Sequence, residues 1–261
     1  MARLPEPASA VRTYGGGVVA VTVVRPGQEP TLPGLRAALV AAADGRAPVR
    51  LVVGDSGAGL DPPPADGGAD RGHRHNGDPG GNGGAGVEVV ALGEDAGHAA
   101  GANRVIAGLD PAIGLVALIR PGALPGPGAL AVLVTAAARW PRAGVLGSCP
   151  DAVPRRGVRA LRRAEGRPAP DREGPAERLG ADLLLARRAA LDSVDGFDAR
   201  YPALAEADLV ERMVRAGWLA IAVPGVEVRC GPPPDPAARR RNARRRLVDR
   251  LRGRIRARPG S

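Results

Sequence analysis

Lysine is missing from this 261-residue chain, so all 37 of its basic residues are arginine. With 38 glycines, 27 prolines and abundant alanine, this composition carries the mark of GC-rich coding, and arginine alone is no sign of function. Aromatic residues number only five, too few to stack bases, which argues against a nucleic-acid partner. The two cysteines, Cys149 and Cys230, have no metal-ligand spacing between them and read as buried free thiols. No stretch reaches the roughly 20 apolar residues of a spanning helix, and no N-terminal apolar run suits a signal peptide, so a cytoplasmic protein is expected.

Positive charge is abundant but confined. Residues 231–261 hold eleven arginines against Asp235 and Asp249, so that tail accounts for +9 of the formal net charge of +10. The rest of the chain is nearly neutral, and whatever the basic balance attracts is attracted through the tail. Within it, Leu247, Leu251 and Ile255 recur every four residues, which predicts a helix from about Pro236 to Arg258 with one apolar stripe between cationic flanks. Docking on an anionic membrane and a solvated charge run are both open readings of that pattern.

Strand and helix patterns alternate through the body. Residues 1–16 read as a loose leader, and Val18 to Val24 as a β-branched strand buried on both faces. A helix begins near Pro33, with Leu35, Leu39 and Ala42 on one side, and Leu51 to Val53 forms a second strand, completing a βαβ unit. Residues 57–86 contain eleven Gly and four Pro, too little apolar surface to order, and His73 and His75 inside them lack a third metal ligand. Order resumes with strands at Val87 to Leu92, Leu115 to Ile119 and Val145 to Gly147, alternating with helices at Ala99 to Leu109 and Gly128 to Trp140. Residues 151–178 read as a mobile connection. Beyond it come a strand at Leu183 to Ala186, a helical patch, a break at Gly196, and a second helix from Leu204 to Gly217. Leu219 to Val223 and Val226 to Val228 are the last strands. On the helix before Gly217, Asp208 and Arg212 lie four apart and face one side, a spacing that by itself suggests a surface ion pair.

The segments DGFDARY, AEADLVER and AGW resemble the acceptor half of family 2 glycosyltransferases, the rhamnosyltransferase-like branch, where the pattern runs close to GGFDExF, EDxDLxxR and GW. Upstream, EDAGHAAGANRVIAG resembles that family's glycine- and asparagine-bearing element, with Gly97, Gly101 and Asn103 matching and Asp95 replacing Asn. The resemblance implies a GT-A fold, an α/β architecture with one mostly parallel sheet flanked by helices. Residues 17–150 would be the nucleotide-sugar half and 179–230 the acceptor half, followed by the basic tail 231–261.

It also implies a function, transfer of a sugar from a nucleotide sugar to an envelope glycan or lipid-linked acceptor at the inner face of the plasma membrane. The alternative is an inactive relative that serves as a binding or scaffolding subunit. Glu206 falls on the catalytic carboxylate and Asp208 on the second acidic position, with Phe197, Asp198, Arg212 and Trp218 on the acceptor side. Asp55, Gly97, Gly101, Asn103 and Arg120 would lie toward the nucleotide. Three positions depart from the family. Val52-Val53 is followed by Gly54, with Asp55 one place late. The carboxylate expected after the middle strand to hold Mg2+ or Mn2+ is replaced by Arg120-Pro121-Gly122, and the terminal metal histidine by Cys230. No metal ligand is therefore assigned, and the Arg120 guanidinium is expected to stand in as a fixed cation.

Overall fold

A computed structural model describes residues 18–28, 32–45, 49–60, 87–93, 96–148, 173–230 and 235–256, the last seven of these as backbone only. Several expectations lie outside them: the leader 1–16, residues 61–86 with His73 and His75, Asp95, Cys149, residues 151–172 of the connection and the end of the tail.

The first strand, β1 (Val18–Val24), shows why its sequence reads as unbroken apolar residues. Val18, Ala20 and Val24 enter one core layer while Val19, Val21 and Val23 enter the other, so both faces are buried. The chain continues through α1 (Leu32–Ala43), β2 (Val49–Asp55), β3 (Val87–Ala91), α2 (His98–Gly108), β4 (Leu115–Ile119), β5 (Leu124–Pro125), α3 (Ala129–Arg139) and β6 (Ala143–Ser148). After the connection come β7 (Gly174–Pro175), β8 (Leu183–Arg187), α4 (Arg188–Asp192), α5 (Ala205–Arg215), β9 (Leu219–Val223), β10 (Val228–Arg229) and α6 (Pro236–Arg256).

Eight strands form one sheet in the order β3-β2-β1-β4-β8-β6-β9-β7, while β5 and β10 make a separate two-stranded ribbon. Strands β1 to β4 are mutually parallel where they pair, and β6 is parallel to β9. Only β8 and the short edge strand β7 run against their neighbours. Helices α1 and α3 cover one face; α2, α4 and α5 cover the other. This is the mixed α/β architecture with a mostly parallel sheet that the sequence implied. Because β8 inserts between β4 and β6, the segments on either side of 151–178 interleave in one sheet.

Two expectations about loops need correcting. Residues 57–60 are held by the end of β2: the backbone N–H groups of Ala58 and Leu60 donate to the Asp55 carboxylate at 2.7 and 2.9 Å, and both side chains pack on the core. At the other loop, residues 173–178 belong to the fold. Gly174 and Pro175 pair with β9, and the Glu173 carboxylate accepts from the Trp140 indole at 2.5 Å and from Arg139. The Asp55 carboxylate anchors the first of these segments, and the Glu173 carboxylate together with strand pairing to β9 anchors the second.

Candidate active site

Parallel strands deliver their C-terminal ends to one edge of the sheet, where ligands of such folds gather. Asp55 ends β2 opposite Val24, the end of β1. Arg120 follows β4, and because β8 runs antiparallel, Asp182 lies beside it just before Leu183 pairs with Ile119. The Arg120 backbone N–H donates to the Asp182 carbonyl at 3.1 Å, and its Nη1 lies 3.4 Å from Asp182 Oδ1, with both side chains more than four-fifths buried.

The turn after β4 explains the missing carboxylate. Ala123 N–H donates to the Arg120 carbonyl at 3.0 Å, Pro121 takes the first central position, and Gly122 has φ 79°, the left-handed value a type II turn demands at its second. An aspartate at 122 would carry that backbone strain. Nearby, Cys230 is a free thiol as expected but exposed rather than buried, because it lies at the end of the short β10 ribbon; local desolvation and the Asp182 carboxylate push it up to about 11. For a hard divalent cation this donor set does not fit: the carboxylate is paired with a guanidinium and the remaining group is a soft sulfur rather than an oxygen. Among the described residues no cluster of three His, Cys, Asp or Glu could hold a metal ion.

Glu206 occupies the first turn of α5 and is 8 % exposed. Its Oε1 lies 3.3 Å from His98 Nε2, the first residue of α2. The His98 ring packs against Phe197 at a centroid distance of 5.8 Å. Burial alone pushes the Glu206 carboxyl up. The hydrogen bond and charge of His98, its own backbone N–H and the charge of Arg120 outweigh that and hold it below the usual carboxylate range. Glu206 therefore sits, ionised, within electrostatic reach of Arg120.

Asp208 is a different kind of carboxylate. It is 4 % exposed, accepts from Arg212 Nε at 2.7 Å and lies 2.8 Å from Arg246 Nε of α6. The pair expected on the surface is buried because α6 covers it. Arg212 also donates from Nη1 to the Val194 carbonyl at 2.6 Å, tying α5 to the turn before Gly196.

Other sequence-predicted residues are placed by packing. Asn103 was expected toward the nucleotide, yet its Nδ2 donates to the Phe197 carbonyl and its Oδ1 accepts the Phe197 N–H, both at 2.8 Å. It clamps α2 to the Gly196–Phe197 loop. Gly196 has φ 64°, and a Cβ there would stand 2.4 Å from Asn103 Oδ1. Gly101 serves helix-to-sheet contact, since a Cβ would meet Leu92 Cδ1 at 2.8 Å and Val23 at 3.1 Å; Gly54 faces Leu92 in the same way. Gly97 is the N-cap of α2, with φ 66° and ψ 163°. Asp55, one place late because Gly54 is packed shut, holds its own loop. Asp198 is held below the usual carboxylate range chiefly by Arg200 hydrogen bonds. Phe197 is buried. Trp218 needs correction as an acceptor-side residue. It precedes Leu219, which pairs with Ala143 at the start of β6, so it lies at the opposite end of the sheet, packed on Gly144 and donating to Ser193 Oγ at 2.9 Å.

Sequence reasoning missed three residues here. His98 stands inside the quoted glycine element but outside its pattern, Asp182 carries no motif, and Arg246 is hidden among ten other tail arginines.

No protein-family model matches the chain. Over 177 residues it is 33% identical to N-acetylglucosaminyl-diphospho-decaprenol L-rhamnosyltransferase of two Mycobacterium tuberculosis strains, an alignment covering 54% of this chain and 58% of each relative. The chain thus spans little more than half the length of the curated relatives it matches. Among solved structures it resembles a mannosyltransferase from Pyrobaculum calidifontis in complex with GDP-Man and Mn2+, with TM-score 0.56, 15% identity, and coverage of 94% of this chain and 65% of the other. It also resembles S. aureus TarS 1-349 in complex with UDP-GlcNAc, with TM-score 0.53, 13% identity, and coverage of 83% and 60%. These likenesses show the GT-A fold.

Proposed function

We propose, starting from a GT-A chain of the rhamnosyltransferase-like branch of family 2 glycosyltransferases, that the protein moves a sugar from a nucleotide-sugar donor onto a lipid-linked or envelope-glycan acceptor. The observation that carries this reading is the ionised, buried Glu206 carboxylate at the C-terminal edge of the sheet, set between His98 and the charge of Arg120. In the transfer, Glu206 takes the proton of the acceptor hydroxyl as that oxygen bonds the anomeric carbon. The bond from that carbon to the diphosphate oxygen breaks, and the diphosphate leaves with the electron pair. Its charge is met by the Arg120 guanidinium, a fixed cation held by Asp182. Phe197 and Asp198 border the acceptor side.

Membrane docking fits the acceptor. The relatives' name specifies a diphospho-decaprenol acceptor, and α6 exposes Leu247 and Val248, at 57% and 43%, beside exposed Arg240, Arg241 and Arg244. That face suits an anionic lipid surface on the cytoplasmic side of the plasma membrane. Among the described residues no helix is long and apolar enough to cross a membrane.

A second reading, an inactive scaffolding subunit, is favoured by the engagement of Asp55 and Asn103 with the chain's own backbone. Release of nucleoside diphosphate from a panel of nucleotide sugars, with and without a polyprenyl-diphospho-sugar acceptor, separates the two. Acceptor-dependent release supports the transferase; none with any donor favours the scaffold.

A further inference from the structure

The basic tail touches the body through its few residues that are not outward-facing arginines. Arg246 is 14 % exposed at its side chain, while Arg244 and Arg245 beside it are exposed. Its guanidinium lies 2.8 Å from Asp208 Oδ1 through Nε, and through Nη2 it donates to Glu211 Oε2 at 2.5 Å and reaches the Ala207 carbonyl at 3.4 Å. Three residues on, on the same side of α6, Asp249 Oδ2 accepts the Tyr201 hydroxyl at 2.6 Å and lies 3.6 Å from Arg200. Asp249 is one of only two acids in residues 231–261, and it falls where the body offers a hydroxyl and a guanidinium. Charge repulsion alone would leave such a helix solvated; these two latches give it one seat.

That seat is the helix that carries Glu206. Asp208 and Glu211 lie two and five residues beyond it, so a cation bridging them clamps the first two turns of α5. Arg212 reaches Asp208 from within α5 and leaves it one free oxygen, which Arg246 takes from outside. We propose that Arg246 is a positioning residue for the candidate site: by bridging Asp208 and Glu211 it makes the seating of α6 and the ordering of α5 a single event. A lipid surface that engages the outer face of α6 then tightens the acceptor side first, and the donor side is one step further from the latch, where His98 of α2 meets Glu206 of α5. The role in catalysis rests on the transferase reading, but the mechanical coupling does not.

Hydrogen–deuterium exchange on the full chain tests it, comparing wild type, Arg246→Ala, Glu211→Gln and Arg36→Ala, the last on the far face of the sheet. Removing Arg246 should speed exchange across 205–215 on the order of tenfold while α3 (Ala129–Arg139) keeps its protection. Glu211→Gln should move the same segment by less, and Arg36→Ala should not move it. Anionic phosphatidylglycerol vesicles should slow exchange in 205–215 of the wild type and fail to do so in Arg246→Ala. In turnover, Arg246→Ala should lower acceptor-dependent transfer about tenfold and leave the donor KM unchanged, a split that general loss of fold does not produce. Unchanged exchange of α5 in both latch variants overturns the coupling. Should Arg246→Ala lose protection everywhere, Glu211→Gln decides in the same sense. A wild type that turns over no donor ends the transferase reading and leaves the exchange result to stand or fall by itself.

Discussion

The two sides of the sheet's C-terminal edge treat their polar residues in opposite ways. On the side of β1, β2 and α2, Asp55 closes its own loop, Asn103 clamps the Phe197 backbone, and Gly54 and Gly101 let α2 approach β1. On the α5 side, Glu206 and Asp208 are buried against partners brought from distant segments: the His98 imidazole from α2 and the Arg246 guanidinium from α6. Burying a carboxylate costs several kcal/mol even when it is paired, and apolar residues would pack the same space as well or better. A fold seeking only stability has no need of two such groups in one helical turn. The contrast gives the small residues an architectural part, and whether the paired acids do chemistry is what the variants below decide.

The largest break of this contrast comes from Glu206→Gln, which keeps shape and removes the base. Acceptor-dependent transfer should fall on the order of a hundredfold or more, with donor KM little changed, as measured by initial rates at saturating acceptor. Loss of both in proportion would place Glu206 among the structural residues instead.

Next in size, Gly196→Ala strikes the architectural side. The residue must hold φ 64° and its Cβ would stand 2.4 Å from Asn103 Oδ1, so the clamp on Phe197 opens. Left-handed strain and two lost hydrogen bonds together should cost about 2–3 kcal/mol in urea unfolding. An unchanged midpoint would show that the loop tolerates another path.

Alkaline pH probes the latch of α6. Burial, first, and the hydrogen bond to Asp249 push the Tyr201 hydroxyl up to about 12. A group whose folded pKa is raised stabilises fully below its unfolded value, near 10 for tyrosine, and loses that contribution as pH rises through the folded one. Exchange of the α6 amides should therefore quicken between pH 10 and about 12, beyond the intrinsic rise, and Tyr201→Phe should abolish the step.

Smallest of all should be Trp218→Phe. At the far end of the sheet it loses only the bond to Ser193, and transfer should stay within about twofold of wild type, a surface-scale effect. A tenfold loss would return Trp218 to the acceptor side.

Much of the fold was legible because its strands are buried on both faces. β1, β4 and β9 coincide with their β-branched or aliphatic runs, since flanking Gly, Pro and polar residues stop the pattern where burial stops. Two-residue strands β5 and β7 each contain a proline and have no period to read. The reversed direction of β8 is not written in Leu183 to Ala186, whose aliphatic run suits either direction. Within the site, Glu206 and Asp208 were visible as acids on one helix. Their burial was not, because His98 and Arg246 come from 108 and 38 residues away in sequence respectively. For Arg246 the arginine-rich coding that supplied it also concealed it.

The assignment of leaving-group charge to a fixed guanidinium is tested most directly by one comparison, turnover of the preferred nucleotide sugar by wild type and Arg120→Ala, each with chelator and with added Mn2+. Wild-type transfer that persists in chelator, and falls at least about tenfold in Arg120→Ala without rescue by Mn2+, is the expected result. Turnover abolished by chelator and restored by Mn2+ in the wild type would contradict it and place a metal where Arg120 has been put.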